Sequence, residues 1–274
     1  MNITMSEIGY NGRLGNQLFQ FAAAYSLSKV SGKELILPME NMAGRTRTHA
    51  DGNKTVRFSV PDIFPKTNQF VRKILWHRDG PFRRVEEKSF SYDTDVLKFC
   101  KQDVPINLHG YFQSPLYFYD RREELLDLFS FKKKMEKPKV GCPLVSLHVR
   151  RTDYLNLGDY HTNLGMEYYG KAIRYFTDRL GRCDFLIFSD DIEWCKDNFL
   201  GGEFLFSDDV SESDALQKMS LCGHNIIANS TFSWWGAYLN KNKDKQIIAP
   251  KNWFGPLNQI KDFSEILSIA TKTI

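Results

Sequence analysis

From residue 143 onward, short apolar runs alternate with helix-periodic stretches, a pattern that only a parallel sheet with crossover helices satisfies. Residues 143–148 (PLVSLH) read as a buried strand. Met166, Tyr169, Ile173, Phe176 and Leu180 then recur at helical spacing, and Gly181 supplies the stop, which predicts a helix near 165–180. Strands at 185–189, 203–206, 224–228 and 246–249 follow, separated by helices near 191–198, 213–221 and 231–240. A last helix near 261–270 closes the series. The intervening segments are too long for hairpins, so the strands run parallel.

The first half is less regular. A strand near 2–9 leads through a glycine-rich turn at 9–15 into a helix over 15–31, closed by Ser31-Gly32, and a strand at 34–37. Residues 41–92 are polar, basic and aromatic without a sustained period, and read as loop with short elements. A strand near 105–109 and a helix near 116–129 complete this half. The charged stretch 130–142 (SFKKKMEKPKVGC), with Pro138 and Gly141, is the best boundary. A length of 274 residues suits two domains, each of about 130 residues. The fold class expected is therefore α/β, as two Rossmann-like domains, the C-terminal sheet being the more regular.

Composition narrows the function classes. Net charge is only +4, too mild to imply a nucleic-acid partner. Basic residues do cluster at Lys132, Lys133, Lys134, Lys137 and Lys139, and again at Arg72, Lys73, Arg78, Arg83 and Arg84. Solvated loops are the plain reading of such runs, and weak attraction to an anionic membrane surface the alternative. No apolar run reaches the roughly 20 residues of a membrane span, and the N-terminus does not read as a secretory leader. A cytoplasmic location is expected, with a position peripheral to the inner face of the membrane as a variant. The five cysteines are scattered and never spaced Cys-x-x-Cys, which disfavours a disulfide framework or a zinc knuckle. They read as apolar filler.

Four motifs fall where strands give way to helices. The first runs Gly9-Tyr-Asn-Gly12-Arg13-Leu-Gly15-Asn16-Gln17. Glycines there let backbone approach a ligand, and a helix N-terminus favours negative charge. A dinucleotide fingerprint would need G-x-G-x-x-G and an acid ending the second strand; the spacing here is G-x-x-G-x-x-G, and the nearest acid is Glu40, beyond Pro38. A tight turn alone needs neither Arg13 nor Asn16. The second motif is His148-Val149-Arg150-Arg151-Thr152-Asp153-Tyr154. Arginine is permanently charged and forks onto phosphate oxygens, so it can neutralise a diphosphate leaving group without a metal. Had the strand continued, His148 and Arg150 would share a face.

The third motif, Ser189-Asp190-Asp191, could hold a divalent cation, hydrogen-bond a nucleotide, or cap the next helix. The favoured reading makes at least one acid a cap and assigns no metal. The fourth is Asn229-Ser230-Thr231-Phe232-Ser233-Trp234-Trp235-Gly236-Ala237. Ser230 or Thr231 suits an N-cap facing a phosphate. The helix is apolar nearly all round, so Trp234 and Trp235 read as core rather than sugar platforms.

Taken together, GRLGNQLFQFA, HVRRTDY, FSDD and NSTFSWWGAYL resemble the α-1,2-fucosyltransferases of glycosyltransferase family 11, in family order across most of the chain. The resemblance implies two Rossmann-like domains facing across a cleft (the GT-B arrangement), an inverting reaction, GDP-fucose as co-substrate, and no cofactor or required metal. It implies an N-terminal acceptor-side domain over 1–135, with 41–92 as an insertion, and a C-terminal GDP-sugar-binding domain over 136–274. By the same resemblance Arg150 grips the β-phosphate, with Arg151 beside it, while His148 and Asp153 shape the donor pocket. Ser189 and Asp190 fall where guanosine contacts are expected. Asn229, Ser230, Thr231 and Phe232 lie at the pyrophosphate, and Gly12, Arg13, Gly15, Asn16 and Gln17 border the sugar. The acceptor implied is an oligosaccharide or glycolipid ending in a β-galactoside. Asp153 is the first candidate for the base and His148 the second. The other readings weighed are a transferase of another nucleotide sugar, a nicotinamide-dependent enzyme, and a carbohydrate-binding protein without turnover.

Overall fold

The computed structural model describes residues 1–10, 12–39, 58–74, 81–209, 211–260 and 262–274. Glu40, Arg78 and much of the stretch 41–92 lie outside them. The chain divides into two compact units, Met1–Lys132 with Asp262–Ile266, and Lys133–Lys261 with Leu267–Ile274. The expected division at 135/136 assigns one continuous segment to each unit. In the structure, residues 262–266 join the first, where Glu265 accepts the Tyr92 N–H at 2.7 Å and Ile266 is buried.

The first unit contains, in chain order, β1 (Asn2–Thr4), α1 (Leu14–Ser31), β2 (Glu34–Leu35), β3 (Leu37–Pro38), α2 (Val60–Ile63), β4 (Val71–Arg72), β5 (Arg83–Glu86), α3 (Thr94–Cys100), β6 (Ile106–His109) and α4 (Arg122–Leu128). Strands β2-β1-β6-β5 form one parallel sheet, and β3 pairs with β4 separately. Helix α1 is buried almost throughout from Leu14 to Ser28, because Leu18, Phe19, Phe21 and Ala22–Ala24 leave no polar face. Gly32 ends it in the left-handed conformation and returns its N–H to the Ser28 carbonyl.

Two expectations change here. The strand predicted over 2–9 stops at Thr4, because Ile8 and Tyr10 donate to the Met5 and Glu7 carbonyls and close turns. The helix predicted over 116–129 is shorter, because Phe118 (φ −141°) interrupts it. Two 3-10 turns, Pro115–Tyr117 and Tyr119–Arg121, precede α4 instead.

The second unit contains β7 (Leu144–Val149), α5 (Thr152–Leu155), α6 (Met166–Leu180), β8 (Asp184–Ser189), α7 (Ile192–Asn198), β9 (Phe204–Phe206), α8 (Glu212–Leu221), β10 (His224–Ile226), α9 (Thr231–Leu239) and β11 (Ile247–Ala249). After α10 (Ser264–Leu267), β12 (Lys272–Thr273) completes the sheet. The predicted helix 261–270 therefore shrinks. Thr271 Oγ1 accepts the Ile247 N–H, and the residues beyond pair with β11 as an edge strand.

All six strands are parallel, in the order β12-β11-β10-β7-β8-β9. Val145, Leu147 and Val149 of β7 pack with Tyr169, Ala172 and Phe176 of α6 and Phe185 and Ile187 of β8. Burying each of these valine, leucine, isoleucine and phenylalanine side chains contributes about 1.5–3 kcal/mol. Trp234 and Trp235 are fully enclosed in α9, as the apolar pattern of that helix requires. Cys100, Cys183, Cys195 and Cys222 are buried thiols; Cys142 is partly exposed.

Candidate active site

Within the second sheet the chain lays down β7, then β8 and β9 on one side, then β10, β11 and β12 on the other. Numbered by chain order, this is the 3-2-1-4-5-6 arrangement. Its direction reverses between β7 and β10, and the loops leaving those two strands must part, opening a crevice at their carboxyl ends. The two most distinctive motifs leave from there: His148–Asp153 from β7, and Asn229–Phe232 from β10.

Strand β7 ends at Val149, so Arg150 and Arg151 sit in a turn rather than on alternate strand faces. The two arginines part company. The Arg150 guanidinium lies between two carboxylates, with Nη2 at 2.6 Å from Asp153 and Nη1 at 2.8 Å from Asp190. Its side chain and that of Asp153 are each only 15% exposed, so this clamp is poorly screened. The two carboxylates therefore hold the guanidinium by charge, one at each terminal nitrogen.

Asp190 also accepts the Arg151 N–H at 2.9 Å and the Thr152 hydroxyl at 2.6 Å. Burial pushes its carboxyl up, yet Arg150, Thr152 and the Arg151 amide together hold it below the usual carboxylate range. Asp190 thus sets the loop after β7. Arg151 turns the other way. Its Nε donates to Asp191 at 3.1 Å, and its guanidinium lies 3.9 Å from the Trp194 ring centroid. Asp191 caps α7 by accepting the Trp194 N–H, and Ser189 Oγ accepts the Asp191 N–H at 2.9 Å. Both adjacent acids are committed to arginines and amides.

On the β10 side, Ser230 is the N-cap of α9 and accepts the Phe232 N–H at 3.4 Å. Thr231 and Phe232 form the first turn, at the positive end of the helix dipole. Asn229 is 1% exposed and donates to the Thr162 and Trp253 carbonyls at 2.9 and 2.8 Å. It thereby ties together the loops that follow β7, β10 and β11. Tyr154 completes the tie by donating to the Asn229 carbonyl at 3.2 Å while its ring stacks on His161, centroids 4.3 Å apart. The Arg150 guanidinium lies 5.4 Å from the same Tyr154 ring. Arg150, Asp153, Asp190, Tyr154 and the 229–232 turn are therefore one connected cluster.

His148 lies beneath it, 7% exposed, its ring centroid 5.9 Å from that of Phe232. Burial pushes its imidazole down to about 4, with Asp190 opposing and Arg150 reinforcing the shift. Neutral at physiological pH, it brings no positive charge. The unfolded chain protonates this group near pH 6.5 and the native state only near 4, so stability should fall as pH drops through that interval. Between pH 7 and pH 4.5 the expected loss is about 2 kcal/mol. Urea unfolding at pH 7 and pH 4.5 should show it in the native protein and not in His148→Gln; an equal loss in both would refute it.

The remaining residues expected at the site belong to the first unit. Gly12 has φ +116°, and a Cβ there would collide with the Asn16 side chain, so the turn into α1 requires glycine. Arg13 occupies the N-cap position of α1 in extended conformation, and Gly15 lies in its first turn. Asn16 accepts from the Gln113 amide at 2.9 Å. Gln17 donates to the Gly12 carbonyl at 3.3 Å and accepts the Ser59 N–H at 2.8 Å. Their partner loop, residues 109–114, carries no motif that a pattern search would single out. Its signal is conformational, a non-glycine residue at positive φ (Phe112, +52°). Thr152, His161 and Trp194 shape the site through contacts with Asp190, Tyr154 and Arg151 that no sequence pattern announces.

Chemically, the second unit offers a forked cation and a helix N-terminus on either side of one crevice, which suits a phosphorylated ligand. Among the described residues, no three His, Cys, Asp or Glu side chains group as metal ligands would. No described helix is long and apolar enough to cross a membrane.

The model of glycosyl transferase family 11 matches residues 2–261. The chain is 31% identical to the O-antigen biosynthesis glycosyltransferase WbnK of Escherichia coli, over 92% of this chain and 95% of that protein. It is 32% identical to an α-1,2-colitosyltransferase of the same species, over 93% of each. A galactoside α-(1,2)-fucosyltransferase 2 of Gorilla gorilla gorilla is 24% identical, over 83% of this chain and 67% of that protein.

Proposed function

Because the chain belongs to glycosyl transferase family 11, we propose that it transfers L-fucose from GDP-β-L-fucose to a glycan hydroxyl, O2 of a terminal β-galactoside, with inversion at the anomeric carbon. The observation that carries this reading is the placement of Arg150 and the α9 N-terminus on the two strands that flank the switch point. A single in-line displacement builds negative charge on the departing diphosphate while the anomeric carbon becomes cation-like. Arg150 and the 230–232 amides stabilise that charge, each well-placed donor contributing about 3–4 kcal/mol. Asp153 and Asp190 hold the guanidinium in its rotamer beforehand, so little reorganisation accompanies the reaction. No metal is needed in this scheme, because the arginine and helix terminus do the neutralising.

The colitosyltransferase relative supports a second donor. Colitose is fucose without its 3-hydroxyl, so the two differ by one hydrogen-bonding group. A site built to bond that hydroxyl rejects the deoxy sugar strongly, whereas an apolar one discriminates weakly. Purified protein, GDP-fucose or GDP-colitose, and a panel of galactose-terminated acceptors separate the cases. Transfer of fucose is expected, with an α-1,2 linkage and unchanged turnover in excess EDTA. Transfer of colitose alone would reassign the donor, and loss in EDTA restored by manganese would reject the metal-free scheme. Calorimetry should show GDP binding in preference to UDP or NAD; binding of no nucleoside diphosphate would favour a carbohydrate-binding protein.

A further inference from the structure

Away from the crevice, positive charge gathers at the β12 edge of the second unit. A groove of about 340 Å³ there is lined by Lys171, Arg174 and Arg179 of α6, Lys251 after β11 and Lys272 of β12. All five belong to the one compact unit. Helical spacing builds one wall: Lys171, Arg174, Tyr175 and Asp178 fall at i, i+3, i+4 and i+7 on a single face of α6, and Arg179 follows. The edge strand builds the other. Pairing of Lys272 with Ile248 brings it to the rim, and the Lys251 N–H donates to the Ile274 carbonyl at 2.8 Å.

Little of this charge is spent within the protein. Asp178 is the one acidic side chain in the lining, and an α-carboxylate at Ile274 would bring the anions to two against five cations. Lys171 pairs with Glu167 at 2.6 Å. Arg179 and Lys272 are ordered by a ring: the Arg179 guanidinium lies 3.8 Å from the Tyr175 centroid, and the Lys272 ammonium 5.5 Å from it. Tyr175 is itself fixed, buried and donating its hydroxyl to Gln246 Oε1 at 3.2 Å. Arg174 and Lys251 are exposed and form no ion pair among the described residues.

The spread of the cations decides what they fit. From Lys171 to Arg179 the helix advances about 12 Å, too far for one phosphate group to reach and suited to several side by side. A nucleic acid offers such a row, but Tyr175 lies covered by Arg179 and Lys272, which leaves no ring in the groove for a base to stack on. A bilayer with anionic headgroups offers the same row and asks only for cations on flexible stems.

We propose that this groove docks the second unit on an anionic phospholipid surface, with headgroup phosphates lying between α6 and β12. It uses neither of the basic runs that stand out in the sequence, at 132–139 and 72–84. Only β11 separates β12 from β10, a step of about 10 Å across the sheet, so docking by this edge holds the crevice close to the lipid. On the transferase reading, and only there, that brings a lipid-borne acceptor within reach.

Flotation of the full chain with vesicles of phosphatidylcholine and phosphatidylglycerol, beside vesicles of phosphatidylcholine alone, tests the assignment. Binding is expected to the first and not to the second, and it should weaken as salt rises. Arg174→Gln with Lys251→Gln, at exposed positions, should lower it about 25-fold, each cation at such a surface contributing a factor of about five. Arg174→Glu with Lys272→Glu should lower it further. Lys133→Glu with Lys134→Glu should leave it within about twofold, because charges more than about 8 Å away are screened at physiological salt. Each reversal subtracts two charges, so both reversed variants fall from +4 to 0 and differ only in where the charge is lost. Native-level binding by either groove variant, an equal loss in the 133/134 variant, or binding to phosphatidylcholine alone overturns the proposal. Calorimetric binding of inorganic diphosphate that the groove reversal abolishes, with no vesicle binding, reassigns the groove to a soluble phosphate and overturns the lipid. None of these readouts needs sugar transfer; failure of the transferase reading would show separately, as absence of GDP binding and turnover.

Discussion

Arg150→Ala is expected to abolish transfer, with kcat reduced at least a thousandfold. The loss has two sources. One is the forked donor at the leaving diphosphate, since removing a single such donor typically costs a factor of about 100–1,000. The other is local: without the guanidinium, Asp153 and Asp190 are left facing each other, their side chains only 15% and 21% exposed. Breaking a buried pair from one side costs about 3–5 kcal/mol, so the variant should also melt earlier. Arg150→Lys separates the two effects. A lysine keeps the charge and relieves part of the repulsion, but it cannot span both carboxylates and present a fork to phosphate. It should recover much of the stability and little of the turnover. Steady-state rates with GDP-fucose and a β-galactoside, beside melting curves, check this; near-native turnover by either variant would remove Arg150 from the role.

Trp235→Ala is expected to have the largest effect on stability. The side chain is fully enclosed, its ring set edge-on to Trp234 at 5.1 Å and to Tyr238 at 4.9 Å between centroids. Emptying that volume should cost about 3–5 kcal/mol, because the surroundings collapse only partly. Denaturant unfolding should show the midpoint falling with little change in slope. If the ring instead served as a platform for sugar, acceptor affinity would fall while the midpoint stayed put. Helix α9 carries the Ser230 cap at its start, so any loosening of its packing should also blur the 230–232 turn.

The second sheet was legible because its elements are punctuated. Gly181 stops α6, Ser230 starts α9, and each buried strand is a short apolar run between them. The edge was not legible. Lys272-Thr273 has neither alternation nor apolar content, and becomes a strand only because β11 offers unpaired amides. Transfer of residues 262–266 to the first unit rests on contacts of Glu265 and Ile266 that no local pattern announces.

At the site, side-chain types were readable and their partners were not. The pair Arg150-Arg151 looks uniform in sequence, yet one faces Asp153 and Asp190 while the other is spent on Asp191 and Trp194. That difference follows from the strand ending at Val149, one residue before alternation would have placed Arg150.

The strand order also bears on how the protein is made. Strand β7, which carries the arginine loop, gains its second neighbour only when His224–Ile226 arrives, after two whole strand–helix crossovers have been threaded on its other flank. Pairings so distant along the chain form slowly, and their exposed edges invite aggregation in the meantime. A nascent chain that has emerged only as far as β9 therefore presents β7 with one ladder unmade and its apolar flank open to strangers. Truncation before α9, or slow translation through residues 207–223, should thus yield insoluble product rather than a half-active enzyme.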